Sequence, residues 1–318
     1  MGRSVSVDAV DAGLLDLLCC PRDSGAPLAE VGDTVQCPTC ATRFPVVDGI
    51  VVFLTDEQLS EQEERERDFR SQESAWYDDM YVGYTDLVEV PTVVRRLGRP
   101  FGPILDAGCG TGRITEALVA LGQPVVAVDY SEACLRRMQK RTAGARVLPV
   151  QADLRHLPVR AGVMSAAISI EVHPHLRDGD RQRYLAELAR VMASGAPLSI
   201  STLNYNLAFR AWRVMGNDGA REGEHVLGND YHYRRFERDE FRRELEENFD
   251  VEELTGIRNI PARSLAGAVS KAGWRRGGDR LLGAMNRRGY KVDHLLERTA
   301  VAGMVGFFWL AKGVKRAT

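Results

Sequence analysis

No apolar run in these 318 residues approaches the roughly 20 needed to span a bilayer. The opening MGRSVSVDAVDAG has no hydrophobic signal core. A soluble, cytoplasmic chain is therefore expected. Lysine is scarce, since Lys140, Lys271, Lys291, Lys312 and Lys315 are the only five among 42 basic residues, a bias that reports genome composition more readily than binding. Net charge is nearly absent too, at −2 with a pI near 6.3. The surface as a whole is not built for a polyanion, which lowers the case for nucleic acid without excluding it. Cysteine is sparse and uneven: of six, Cys19, Cys20, Cys37 and Cys40 fall in the first forty residues, with Cys109 and Cys134 far downstream. In a cytoplasmic chain such pairs suggest metal before disulfide.

What is present has room for one large α/β domain plus something small, with 44% hydrophobic residues to fill a core. The stretch ILDAGCGTGRIT, Ile104 to Thr115, is the most informative. Ile104, Leu105, Ala107 and Cys109 surround Asp106 and give way to Gly108, Gly110 and Gly112, the pattern of a buried parallel strand breaking sharply into a helix. Glycine there permits positive φ and close approach of backbone to a ligand. The following helix, with Ile114, Leu118 and Leu121 at helical spacing, aims its amide-rich end at whatever fills the loop. Such a turn alone also fits nicotinamide or flavin binding. The strand VVAVDYS then ends in Asp129, 23 residues after Asp106, the distance at which an acid reaches ribose hydroxyls. A third strand, within VLPVQADLRHLPV, ends at Asp153, a second carboxylate on the same sheet edge.

The glycine loop, Asp129 and Asp153, in this order, resemble the class I S-adenosylmethionine-dependent methyltransferases, from about Trp76 to the C-terminus. The resemblance implies an α/β fold, a Rossmann-like seven-stranded sheet with helices on both faces, and an enzyme that binds S-adenosylmethionine. It implies a loop facing the methionine moiety, Asp129 on the ribose and Asp153 beside the adenine amino group. Cofactor contacts are expected from Tyr77, Asp106, Ala107, Gly108, Cys109, Gly110, Gly112, Asp129, Tyr130, Asp153, Leu154 and Ile170.

Ahead of this lies a cysteine module. Cys37-Pro-Thr-Cys40 has the knuckle spacing that brings two thiolates to one tetrahedral zinc ion, but the matching first knuckle reads Cys20-Pro-Arg-Asp23. Three readings stay open: zinc on Cys20, Asp23, Cys37 and Cys40; Cys19 substituting after a rearranged turn; or a metal-free module held by its apolar residues. Residues 14 to 54 resemble the small zinc-ribbon-like activator family that partners transfer-RNA and protein methyltransferases, which implies a stabilising or docking role. The expected division is a zinc-ribbon-like β module over residues 1–56, an acidic helical connector over 57–75 and the methyltransferase domain over 76–318. Glu57 to Glu73 holds seven acids against Arg65, Arg67 and Arg70, a solvated helix face. Trp76, Tyr77 and Tyr81 then offer either an aromatic cover for the cofactor or core packing.

Methyl transfer is an in-line displacement at a carbon on positively charged sulfur, so the protein must align a nucleophile and, for oxygen, remove its proton. The fourth strand, Val163 to Val172, leads into His173-Pro174-His175. If extended, this segment would put Glu171, His173 and His175 on one side as an acid and base set or as ligands for a divalent ion; helix onset at Pro174 would break that alignment. His175 is the candidate general base or substrate contact, with Glu171 and His173 beside it, and a divalent metal is not expected there. This run and Pro197 to Trp212 are similar to the O-methyltransferases of ubiquinone biosynthesis, which have a Ser-Thr-Leu-Asn-Arg-Asn run and a Glu-x-x-Glu-His run at these places. Pro174 replaces the second glutamate and Tyr205 the arginine, which weakens any metal and leaves small-molecule O-methyltransferase ancestry. Ser165 stands where an aspartate is usual, a position that is generally structural.

Two insertions, 204–235 and 262–300, are expected to shape the substrate pocket. A helix is predicted over Phe236–Phe249, and strands over Val251–Ile257 and Met304–Ala311 should close the sheet as an antiparallel pair. From Arg258 to Lys291 nine basic residues face the single acid Asp279. That excess reads as a cap attracting an anionic substrate, as an amphipathic pair with arginines lying over apolar surface, or as a face for anionic lipid. The expected activity is methylation of a small metabolite, at oxygen. The rivals are an RNA or protein substrate, and a non-catalytic interaction protein on the same fold.

Overall fold

The computed structural model describes residues 11–23, 26–54, 64–65, 67–69, 71–72, 74, 84–214, 221–226, 229–259 and 290–317. Strands β5 (Ile104–Ala107), β6 (Val125–Asp129), β7 (Val147–Gln151) and β8 (Ala166–Ser169) are buried at nearly every position, the signature of parallel strands covered on both faces. With β9 (Pro197–Asn204) they run parallel in the order β7-β6-β5-β8-β9. Strand β13 (Phe308–Lys315) lies antiparallel to β9, and β12 (Phe249–Ile257) antiparallel to β13. The seven expected strands are therefore present, ordered β7-β6-β5-β8-β9-β13-β12.

Two boundaries differ from expectation. Strand β13 begins at Phe308, not Met304, because Ala300–Val305 is a short helix; a short apolar run does not distinguish helix from strand. Gly256 makes room for this helix on β12, since a Cβ there would lie 1.9 Å from the Ala302 carbonyl oxygen. The helix predicted over Phe236–Phe249 is confined to Arg238–Glu246 by a capping box between Glu237 and Glu240. Phe236 ends the preceding strand and Phe249 starts β12, both fully buried.

The N-terminal module is fused into the sheet. Strands β1 (Ala29–Val31), β2 (Thr34–Gln36), β3 (Arg43–Val47) and β4 (Ile50–Val52) form an antiparallel meander. Strand β4 pairs parallel with β7, Val51 opposite Val150 and Val52 opposite Gln151. A second seam bridges Leu18 to Val159, with the Cys19 amide donating to the Pro158 carbonyl at 3.0 Å and the Arg160 amide to the Leu17 carbonyl at 2.9 Å. Leu14, Leu18, Phe44, Val51 and Phe53 belong to one apolar cluster with Leu105, Val126, Leu148 and Val150. The module thus covers the open edge of β7, which would otherwise present unpaired backbone groups.

Of the 204–235 insertion, the structure shows a helix over Leu207–Val214 and a hairpin of β10 (Glu222–Val226) and β11 (Asn229–Phe236). The last residues of β11 pair parallel with β9 at Leu203 and Asn204. Most of the 262–300 insertion, as well as Trp76, Tyr77 and Tyr81, lies outside the described residues. Among the described residues no helix is long and apolar enough to cross a membrane.

Candidate functional site

The glycine turn after β5 has positive φ at Gly108 (79°), Gly110 (51°) and Gly112 (85°). Two of the three are also sterically fixed: a Cβ would fall 2.2 Å from Val172 Cγ2 at Gly108, and 3.0 Å from the Met138 Cα at Gly112. At Gly110 nothing lies within 4 Å of that position, so the turn opens there into a cradle. The amides of Gly108 and Cys109 donate to the Val128 carbonyl at 2.8 and 3.0 Å, tying the turn to β6.

Asp129 ends β6 with one carboxylate oxygen 2.9 Å from the Gly110 amide and the other 2.9 Å from the Ser131 amide. It therefore fixes the cradle, and a carboxylate has further lone pairs for ribose hydroxyls. Asp106 turns inward and accepts from Thr115 Oγ1 at 2.7 Å. Burial pushes its carboxyl up to about 7, against that hydrogen bond and with help from the Asp129 charge. Cys109 is buried among Ile50, Ala127, Leu135 and Met138, and burial raises its thiol far above the ordinary range. Gln151 Nε2 donates to the Tyr130 carbonyl at 3.0 Å, while the Gln151 carbonyl accepts from the Phe53 amide at 2.8 Å. The module and the ribose-side strand are thus joined through one residue. Ser71 of the acidic connector reaches Ser131 Oγ at 3.0 Å, so that segment is not simply a solvated face.

Asp153 caps a 3₁₀ turn over Leu154–His156 and is gripped by Arg155, whose Nε lies 2.8 Å from Oδ2; Arg155 also pairs with Asp180. Leu154 approaches Gly108, with Cδ1 3.7 Å from the position of an added Cβ. Ile170 packs into the apolar cluster of Ile104, Ile168 and Leu310. Sequence reasoning missed Val172, which lies closest over Gly108; the absence of a side chain at Gly108 was the one signal for it. It also missed the buried chain in which Tyr184 donates to Ser169 Oγ and Ser169 to the Ala107 carbonyl, each at 2.6 Å.

Beyond β8 the expected alignment of Glu171, His173 and His175 does not form. Pro174 sits inside a 3₁₀ turn over His173–His175, and the three side chains diverge. His173 is fully buried and edge-on to Phe236 and Phe241. Its Nδ1 lies 3.0 Å from Thr202 Oγ1 and its Nε2 3.0 Å from Glu244 Oε2. Burial lowers its pKa, so the ring is neutral, donating from Nε2 to Glu244. Although burial resists ionisation of Glu244, His173 and Arg181 hold its carboxyl down at about 2. The structure therefore places His173 in the core, apart from Glu171 and His175.

His175 is half-buried, with Nδ1 2.9 Å from the His232 carbonyl. A carbonyl only accepts, so the neutral ring carries its proton on Nδ1 and its basic nitrogen is Nε2. Glu171 has a left-handed backbone, φ 62°, unusual for a non-glycine residue and costing about 1–3 kcal/mol. Its amide donates to Ser201 Oγ at 2.9 Å, and its carboxylate meets Arg258 Nη1 at 3.2 Å. The run Ser201 to Asn206 is a brace: Ser201 holds Glu171, Thr202 meets His173, and the Asn204 and Asn206 amides donate to the Gly306 carbonyl at 2.9 and 3.0 Å. Ser165 has a structural role, with Oγ donating to Pro103 O at 3.0 Å.

In the N-terminal module one ligand atom each from Cys20, Asp23, Cys37 and Cys40 lies within 4.8 Å of the others. The Cys20 and Cys40 sulfurs are 3.7 Å apart, the edge of a tetrahedron with zinc–sulfur bonds of about 2.3 Å. Backbone amides of Arg22, Thr39 and Cys40 point at the Cys20 and Cys37 sulfurs at 3.3–3.4 Å, the environment of thiolates. Cys37 Sγ and Asp23 Oδ2, at 2.6 Å, are at hydrogen-bond distance and must separate by roughly 1 Å to share an ion. These residues fit zinc. Cys19 is not a substitute: it is buried in the seam beside Arg190 and Glu187.

A mostly parallel sheet in this order, with a glycine turn after its central strand and an acid closing the next, is the arrangement that the resemblance to class I methyltransferases implies. Residues 104–195 match the family model described as a methyltransferase domain, and residues 11–49 match that described as Trm112p-like protein. It is 34% identical over 126 residues to the malonyl-[acyl-carrier protein] O-methyltransferase of Salmonella typhimurium, covering 38% of this chain and 47% of that one. It is 28% identical over 142 residues to the ubiquinone biosynthesis O-methyltransferase of Parvibaculum lavamentivorans, covering 42% and 51%. The chain spans about half the length of these curated relatives. Among solved structures it is similar in fold to one described as a complex between the Haloferax volcanii Trm112 methyltransferase activator and a methyltransferase, at 15% identity and a TM-score of 0.50, covering 81% of this chain and 99% of that one.

Proposed function

We propose that this protein transfers a methyl group from S-adenosylmethionine to an oxygen of a small metabolite, with His175 as the general base. The observation that carries the reading is the tautomer of His175. Its Nδ1 proton is committed to the His232 carbonyl, which makes Nε2 the basic nitrogen of the neutral ring, three residues beyond the Val172 that overlies the glycine turn. The cofactor supplies the electrophilic methyl carbon on a sulfonium. In this scheme Gly110 admits it to the cradle, Asp129 holds the ribose, and Asp153, clamped by Arg155, stands at the adenine end. His175 accepts the acceptor hydroxyl proton, and Glu171 lines the same edge. The malonyl and ubiquinone O-methyltransferase likenesses favour oxygen.

The module at residues 11–49 favours a second reading, an RNA or protein substrate, because its family is named for a methyltransferase activator. His175→Ala tests the first. Methyl transfer should fall about 10²- to 10⁴-fold, the usual contribution of a general base, while S-adenosylhomocysteine affinity by calorimetry stays unchanged. A variant of full activity removes the base assignment.

A further inference from the structure

The Glu171–Arg258 pair takes no part in that proton transfer, yet it lies at the same edge of the sheet as the glycine turn. Glu171 follows β8 and Arg258 follows β12, and the residues, 87 apart in the chain, meet across the carboxyl end of β9 and the amino end of β13. Both hold left-handed backbone, φ 62° and 56°, a strain that persists only where the surroundings impose it and that gathers at ligand sites. The guanidinium lies 4.8 Å from the Phe308 ring centroid and 5.4 Å from that of Phe307, a platform that keeps its planar fork oriented. The resulting contact is 3.2 Å, longer than the roughly 2.7–2.9 Å of a well-formed charge-assisted bond. The two side chains are only 22% and 15% exposed, so water does little to screen them. An oriented guanidinium facing a carboxylate from a distant segment is suited to exchange that counter-ion for an anion of the acceptor.

We propose that Arg258 binds an anionic group of the acceptor, a carboxylate or phosphate that is not itself methylated, and that Glu171 is its resting counter-ion, displaced when the acceptor enters. The inference rests on the small-molecule reading above and adds the substrate's charge class.

The test uses the full chain, methyl-labelled S-adenosylmethionine and the small-molecule fraction of an extract of the source cells. The labelled product should be retained on an anion exchanger at neutral pH, and loss of that retention after phosphatase treatment would separate phosphate from carboxylate. Arg258→Ala should lower label transfer roughly 30-fold or more with S-adenosylhomocysteine affinity unchanged, and Arg258→Lys should recover part of the transfer. If Arg258→Ala also loses S-adenosylhomocysteine binding, Arg258→Lys decides: reduced transfer with intact binding supports the subsite, and wild-type transfer overturns it. A neutral labelled product, or wild-type transfer by Arg258→Ala, overturns the anion subsite alone. Label found only in RNA or protein overturns the small-molecule reading and this inference with it.

Discussion

The glycine-turn half and the proposed acceptor half of this sheet edge are built from different materials. Around the glycine turn the groups are largely backbone: amides at Gly108, Cys109, Gly110 and Ser131, and carbonyls at Val128 and Ala107, fixed by two carboxylates and a few buried hydroxyls. On the acceptor side the groups are side chains drawn from distant elements, His173 to Glu244, His175 to the β11 backbone and Glu171 to Arg258. The first kind of site fixes one geometry for one cofactor. The second can be re-specified by changing a few side chains without disturbing the sheet, which suits the variety of acceptors such folds serve.

Breaking the backbone side should have the largest effect. Gly112→Ala places a Cβ 3.0 Å from the Met138 Cα at a φ of 85°, and neither backbone can yield cheaply. S-adenosylhomocysteine binding should fall by roughly two orders of magnitude or more by calorimetry; binding within tenfold of wild type would show that the turn is not rigid. His173→Ala should come next, costing about 3 kcal/mol in urea denaturation, because it empties a fully buried site and strips Glu244 of a partner. Against His175→Ala it splits the histidine pair: the first should lower stability, the second turnover. A stable but inactive His173→Ala would restore the catalytic role that its burial denies it.

Asp129→Ala should weaken S-adenosylhomocysteine by about one to two orders of magnitude, the loss of charged hydrogen bonds to ribose together with those that fix Gly110 and Ser131. Unchanged binding would remove the ribose assignment. The smallest effect concerns pH. The Glu244 carboxyl sits at about 2 when folded against an ordinary 4.5. Its contribution is therefore fully present above about pH 4.5 and is lost as pH falls toward 2. The wild-type urea midpoint should drop more between pH 6 and 3 than that of Glu244→Gln; parallel curves would show that the His173–Glu244–Arg181 cluster adds no pH dependence.

The same contrast decides how much could be read from the sequence. The cofactor side was legible because its signals are local: a glycine turn, an acid 23 residues on and another at the next strand end. The cysteine knuckles were legible for the same reason, including the substitution of Asp23. The module's fusion to β7 was not, because the apolar run Ile50–Phe53 reads alike as the end of a separate module or as an added strand. Nor was the fate of His173 and Glu171, since their partners lie 71 and 87 residues away and no periodicity announces them. Pro174 was the one local clue that the alternating set would break, and the 3₁₀ turn contains it.

The most direct test of the account is to incubate the protein with methyl-labelled S-adenosylmethionine and an extract of its source cells, and to separate small molecules from macromolecules. The account predicts label in the small-molecule fraction, lost with His175→Ala; label confined to RNA or protein would contradict it.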